Sequence, residues 1–131
     1  MKLLLDTHVW IWANAEPHRL HSRVADALDD PANELWLSVI TFWEIMMLGQ
    51  KRRMQFDPDP ATWIRERLER HPVQEAAINR NVAILGRQIE LDTEDPVDRL
   101  LAATAEIFEL TLVTSDKRLL GCKRIQTLAN G

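Results

Sequence analysis

A single cysteine, Cys122, stands among 131 residues, so no internal disulfide can form, and no His lies at a spacing that would join it around a metal. That scarcity suits a reducing compartment and points to the cytoplasm. Long apolar runs are missing as well: Arg, Asp or Glu interrupts every stretch before it approaches the ~20 residues that span a bilayer. The opening Met1-Lys2-Leu3-Leu4-Leu5 stops at Asp6, well short of a signal-peptide core, and reads as a first strand. There is no repeat, linker or low-complexity tract. Nor is there an excess of positive charge, for 16 Lys and Arg face 20 Asp and Glu, a net charge of −4 that argues against gripping polyanions through a general positive field. The argument weakens if the acids gather around divalent cations, because the bound ion then sets the local sign.

What is present is a chain with 46% hydrophobic residues, enough at this length to bury one core without staples, so residues 1–131 read as a single domain. Residues 2–5 form an apolar run ending on Asp6, the pattern of a buried strand with an acid at its carboxyl end. A polar turn is expected next, then a helix over 20–29 carrying Leu20, Val24, Ala27 and Leu28 at helical spacing. Residues 35–39 read as a second strand. The stretch 41–50 reads as a helix whose Phe42, Trp43, Ile45, Met46, Met47 and Leu48 spread apolar surface around most of its girth. Asp59 caps an expected helix over 61–70, stopped by His71-Pro72. Residues 73–76 suggest a third strand, and Asn79 caps a helix through Val82, Ile84, Leu85 and Ile89. Asp95-Pro96-Val97-Asp98 opens another helix, residues 110–113 form a buried strand reaching Thr114-Ser115-Asp116, and a last strand lies near 124–127. Strands alternating with helices imply a parallel sheet of about five strands covered on both faces, a three-layer α/β/α architecture.

In an open α/β sheet the functional crevice lies outside the carboxyl ends of the strands. Four acids fall there: Asp6 after the first strand, Glu44 in the first turn or so of the helix after the second, Asp98 in the first turn of the late helix, and Asp116 after the fourth strand. Three have plain structural explanations, since Thr41 with Glu44 fits a capping box, Asp95 with Asp98 nearly does, and Asp116 suits a cap for the turn behind it. Asp6 has no helix signal as good. Convergence argues for chemistry, because two carboxylates ~4 Å apart repel by roughly 4 kcal/mol at an effective dielectric of 20, and four together call for a cation. Such ligation suits Mg2+ or Mn2+, and no His or Cys set competes for a softer metal.

The segments Leu4-Leu5-Asp6-Thr7-His8-Val9-Trp10-Ile11-Trp12, Trp43-Glu44, Asp95-Pro96-Val97-Asp98-Arg99-Leu100-Leu101-Ala102-Ala103 and Leu112-Val113-Thr114-Ser115-Asp116 occur in that order along nearly the whole chain. As a set they resemble PIN-domain proteins of the VapC toxin type. The resemblance implies a PIN-like (Rossmann-like) parallel sheet, an Mg2+ site in which Mn2+ can substitute, and endoribonuclease activity as the toxin of a type II toxin–antitoxin pair. It also implies homodimers and neutralisation by a small cognate antitoxin. By position it makes Asp6, Glu44, Asp98 and Asp116 the catalytic, metal-binding acids, with Thr7 and Ser115 lining the site. Asp95 stands close enough to Asp98 that a swapped assignment stays open. Asp95 before Pro96 is the natural helix cap, and Asp98 is taken as the ligand. The expected chemistry is polarisation of the scissile phosphate by metal on Asp6, Asp98 and Asp116, with Glu44 as ligand or proton acceptor, leaving a 5′-phosphate and a 3′-hydroxyl.

Other residues invite readings that compete with bland ones. Arg99, Lys117 and Arg118, and the run Lys51-Arg52-Arg53, are either contacts for an RNA backbone or ordinary solvated charges. His8 lacks a partner acid or serine signature, so a structural role is expected. Trp36 and Trp63 are expected in the core, whereas Trp43, Met46 and Met47 exceed what one sheet face can cover and suggest a dimer or antitoxin surface. A receiver-like signalling domain would need an acid at the end of a central strand, and Leu35-Trp36-Leu37-Ser38-Val39 offers none. A non-catalytic PIN fold that only binds RNA or protein would keep the architecture, but the presence of all four acids speaks against it.

Overall fold

Strands and helices alternate from one end of the chain to the other in the computed structural model, which describes residues 1–131. The strands are β1 (Lys2–Leu5), β2 (Glu34–Ser38), β3 (Gln74–Ala76), β4 (Thr111–Thr114) and β5 (Gln126–Ala129). The helices are α1 (Thr7–Ala15), α2 (Ser22–Asp29), α3 (Val39–Gln50), α4 (Pro60–Arg70), α5 (Arg80–Gln88), α6 (Pro96–Ile107) and α7 (Lys117–Leu120). All five strands are parallel and lie in the order β3-β2-β1-β4-β5. The chain therefore builds outward from β1 in one direction, then returns to build on its other side. That reversal opens a crevice between β1 and β4, outside their carboxyl ends.

Alternation along each strand feeds two separate cores, one on each sheet face. Leu3 and Leu5 of β1, Leu37 of β2 and Val113 of β4 join Val9, Trp10, Val24, Ile45 and Trp63 from α1 to α4. Leu4 and Leu112 point the other way, onto Leu101, Ala102 and Ala105 of α6 and Leu119 of α7. Leu3, Leu4 and Leu5 are no more than 1% exposed, and each burial contributes about 1.5–3 kcal/mol. The three-layer α/β/α arrangement expected from the sequence is thus present, and no helix is long and apolar enough to cross a membrane.

Four local expectations change. Where a polar turn was expected after Asp6, the nine residues of α1 form a helix, Thr7-His8-Val9-Trp10-Ile11-Trp12-Ala13-Asn14-Ala15. These residues lack charge and an amphipathic stripe, and burial of Val9, Trp10 and Ile11 overrides their weak helix propensity. Helix α3 starts at Val39, with the Ser38 hydroxyl accepting from the Ile40 amide, so Thr41 with Glu44 is not a capping box. Strand β5 begins two residues later than expected, at Gln126. Trp63 is buried as expected, edge-on to Trp10, but Trp36 is only half-buried and its indole donates to Glu34.

Candidate active site

Asp6 occupies the N-cap position of α1, yet its side chain makes no capping bond. The Thr114 hydroxyl donates to Asp6 Oδ2 at 2.7 Å instead, and the Asp6 amide continues the sheet by donating to the Val113 carbonyl. A cap residue that leaves its helix unsatisfied has been given other employment. Thr114 was passed over by motif reasoning except as a neighbour of Ser115, although a buried threonine at a strand end beside an acid is a signal for such a hydrogen bond. Its oxygen also accepts from the Asp116 amide at 3.0 Å, so one hydroxyl joins the ends of β1 and β4.

Asp116 caps α7 by accepting from the Arg118 amide, as expected, and its carboxylate is also gripped by the Arg118 guanidinium. Asp98 lies in the first turn of α6, behind Asp95, whose Oδ1 accepts from the amides of Val97 and Asp98. Asp95 is therefore the cap, and Asp98 is left free to reach the crevice, where Arg118 Nη2 lies 3.3 Å from its Oδ2. Glu44 sits in the second turn of α3. Below it the hydroxyls of Thr7 and Thr41, both fully buried, meet at 3.1 Å and tie the start of α1 to α3.

Electrostatics place the four acids in one field. Burial pushes the Asp6 carboxyl above the usual range, opposed by the Thr114 hydrogen bond and by His8, with Asp116 adding to the rise. Burial likewise raises Glu44, and the charge of Asp6 adds to it while the Thr7 hydroxyl lowers it. Asp98 is pushed up to about 7 by burial and then by the charges of Asp95, Asp116 and Asp6. Asp116 alone goes down, held there mainly by the side-chain hydrogen bond from Arg118. Burial is the first cause of all three rises, and neighbouring acids add to it, three of them at Asp98.

Whether the group fits a divalent ion turns on donor type and spacing. The donors are carboxylate oxygens, the chemistry of Mg2+ and Mn2+. No three acidic, His or Cys side chains are drawn into one ready coordination cluster. Asp98 and Asp116 are turned onto Arg118. The charge and donor set fit, and occupancy requires those two side chains to leave the guanidinium.

Two sequence candidates have other duties. Ser115 is exposed; its hydroxyl donates to the Asn130 carbonyl and accepts from the Asn130 side-chain amide, which also donates to the Arg19 carbonyl and accepts from the His21 amide. Arg99 does not reach for a phosphate. Its guanidinium is buried, and all five of its N–H groups donate to backbone carbonyls, of Gly86, Arg87, Ile89, Leu91 and Thr93. Lys51, Arg52 and Arg53 are exposed in the turn after α3.

Comparison with known proteins bears on this geometry. The PIN domain family model matches residues 3–124. Ribonuclease VapC22 of Mycobacterium tuberculosis is 34% identical over 118 residues, covering 89% of this chain and 88% of that protein. Among solved structures, VapBC2 from Rickettsia felis bound to a DNA fragment from its promoter superposes with a TM-score of 0.75 at 15% identity, covering 98% of each chain. A toxin–antitoxin complex from Klebsiella pneumoniae gives 0.67 at 22% identity, again covering 98% of each chain. These two likenesses are of fold. From the family match over nearly its whole length and the relative at 34% identity, this chain belongs to the PIN-domain family.

Proposed function

We propose that this chain is an Mg2+-dependent endoribonuclease, with Mn2+ able to substitute, that serves as the toxin of a type II toxin–antitoxin pair. The carrying observation is that Asp6, Asp98 and Asp116, with Glu44 in the same field, come from four remote segments to the crevice where the strand order reverses. The relative named as a ribonuclease supports the reaction, and the neighbour described as a toxin–antitoxin complex supports the pairing. Asp6, Asp98 and Asp116 would hold the ion, which when bound supplies a Lewis acid for the scissile phosphate and a more acidic water. Glu44, whose burial raises its proton affinity, is the residue to take the proton of the attacking water or to complete the ligand set. Thr114 fixes the rotamer of Asp6, and Thr7 steadies Glu44.

RNA is then the substrate and a small antitoxin the protein partner. The whole chain acts as one domain in the cytoplasm, as a homodimer. Helix α3 supplies an apolar patch for association: Phe42 and Met46 pack onto the first core, while Trp43 stays 59% exposed beside half-buried Met47. Incubation of purified protein with total RNA, followed by mapping of new 5′ ends, tests the activity. Cleavage should require Mg2+ or Mn2+ and fall by at least about a hundredfold in Asp6→Asn and Asp98→Asn, which keep shape and remove charge. Cleavage that survives excess chelator, or persists in both variants, refutes the proposal.

A further inference from the structure

Arg118 is engaged more heavily than an exposed arginine at a helix start requires. Its Nε lies 3.2 Å from Asp116 Oδ1, Nη2 lies 2.9 Å from Asp116 Oδ2 and 3.3 Å from Asp98 Oδ2, and Nη1 lies 3.2 Å from the Thr93 hydroxyl. Asp116 Oδ1 already accepts from the Arg118 amide. The guanidinium thus takes both oxygens of one acid and one of another, the same lone pairs that a divalent ion would need. Its side chain remains 50% exposed, against 15% for Asp98 and 25% for Asp116, so it reaches in from the rim and is free to leave. Room to leave exists. Arg118 also lines an open cleft of about 550 Å³ with Lys117, Leu91 and Cys122, where the carboxylates of Glu90 and Asp92 offer alternative partners.

We infer that Arg118 is an exchangeable counter-cation: it holds Asp98 and Asp116 in the metal-free protein, and a divalent ion binds only by displacing it toward the neighbouring cleft. The inference rests on the metal-binding reading above and adds a built-in competitor that sets how much free metal the enzyme needs. The Asp116 carboxylate, saturated by Arg118, explains why no ready coordination cluster stands in the crevice.

Calorimetric titration of the full chain with Mn2+ at neutral pH tests this, comparing wild type, Arg118→Gln and Arg118→Lys, with circular dichroism as the check on folding. Exposed ion pairs are individually weak, so Arg118→Gln should bind Mn2+ about three- to tenfold more tightly than wild type. Arg118→Lys keeps the charge but not the forked donors and should fall between them. Thermal unfolding in EDTA should show Arg118→Gln less stable than wild type, a difference that vanishes or reverses in saturating Mn2+. If folded Arg118→Gln binds Mn2+ with equal or lower affinity while wild type binds it, the exchange is refuted and the metal reading stands. If neither protein binds Mn2+, the metal reading fails and the exchange falls with it. Binding by Arg118→Gln alone would support the exchange in its strongest form.

Discussion

Asp98 carries the clearest thermodynamic signature of the crevice. Its carboxyl titrates near 7 in the folded chain against 3.8 when free, so the folded state holds a proton that the unfolded state gives up between those values. In the absence of metal, stability from this group is therefore full at low pH and declines as pH rises toward 7, the reverse of a salt-bridged acid. Asp116 has the opposite sign, its lowered value contributing stability that is lost only as pH falls through the folded value. In EDTA at pH 7.5, Asp98→Asn should accordingly raise stability by about 1–2 kcal/mol, or roughly 3–8 °C in Tm, after allowance for partial solvent access. Near pH 4 the gain should shrink to almost nothing. A variant less stable than wild type at pH 7.5 would mean that Asp98 is not under electrostatic strain.

Among the elements, the connection from α5 to α6 is gathered mainly by one side chain, Arg99. The segment 89–95 has no regular structure, and its carbonyls at Ile89, Leu91 and Thr93 are collected by Arg99 from the first turn of α6. Thr93 in turn presents its hydroxyl to the Asp95 amide and to Arg118, so the loop that Arg99 organises forms one wall of the crevice. Replacing Arg99 with Met leaves those carbonyls facing a buried hydrocarbon and should cost about 3–5 kcal/mol, with faster amide exchange across 89–95 than elsewhere. Loss confined to below about 1 kcal/mol would show the loop to be self-supporting. This role was not legible in the sequence, where Arg99 stands beside Asp98 and invites a phosphate. Burial of a cation by carbonyls is decided by loop geometry that no local pattern encodes. Helix α1 escaped for a related reason: its apolar residues have no stripe because β4, α3 and the short turn Pro17–Arg19 all pack against it. The caps at Asp59, Asn79, Asp95 and Asp116 were readable because each depends on contacts within three residues.

For the molecule as a whole, the alternation of strands and helices was enough to expect a parallel sheet, and with it the edge on which the acids would meet. The strand order was not written in any local signal. Against a net charge of −4, Trp43 is a large apolar side chain left 59% exposed on α3. Trp43→Glu should leave monomer stability within about 0.5 kcal/mol of wild type. If the proposed homodimer forms through this face, wild type should sediment as a dimer and Trp43→Glu as a monomer; a dimer in both would place the interface elsewhere, and a monomeric wild type would refute the dimer. The sheet order also bears on synthesis. Because Asp6 at the start of the chain is held by Thr114, 108 residues later, a growing polypeptide carries its first acid long before the strand that orients it exists. A polypeptide that stops short of β4 thus has no Thr114 hydroxyl to orient Asp6, and loses the geometry of the crevice with that one strand.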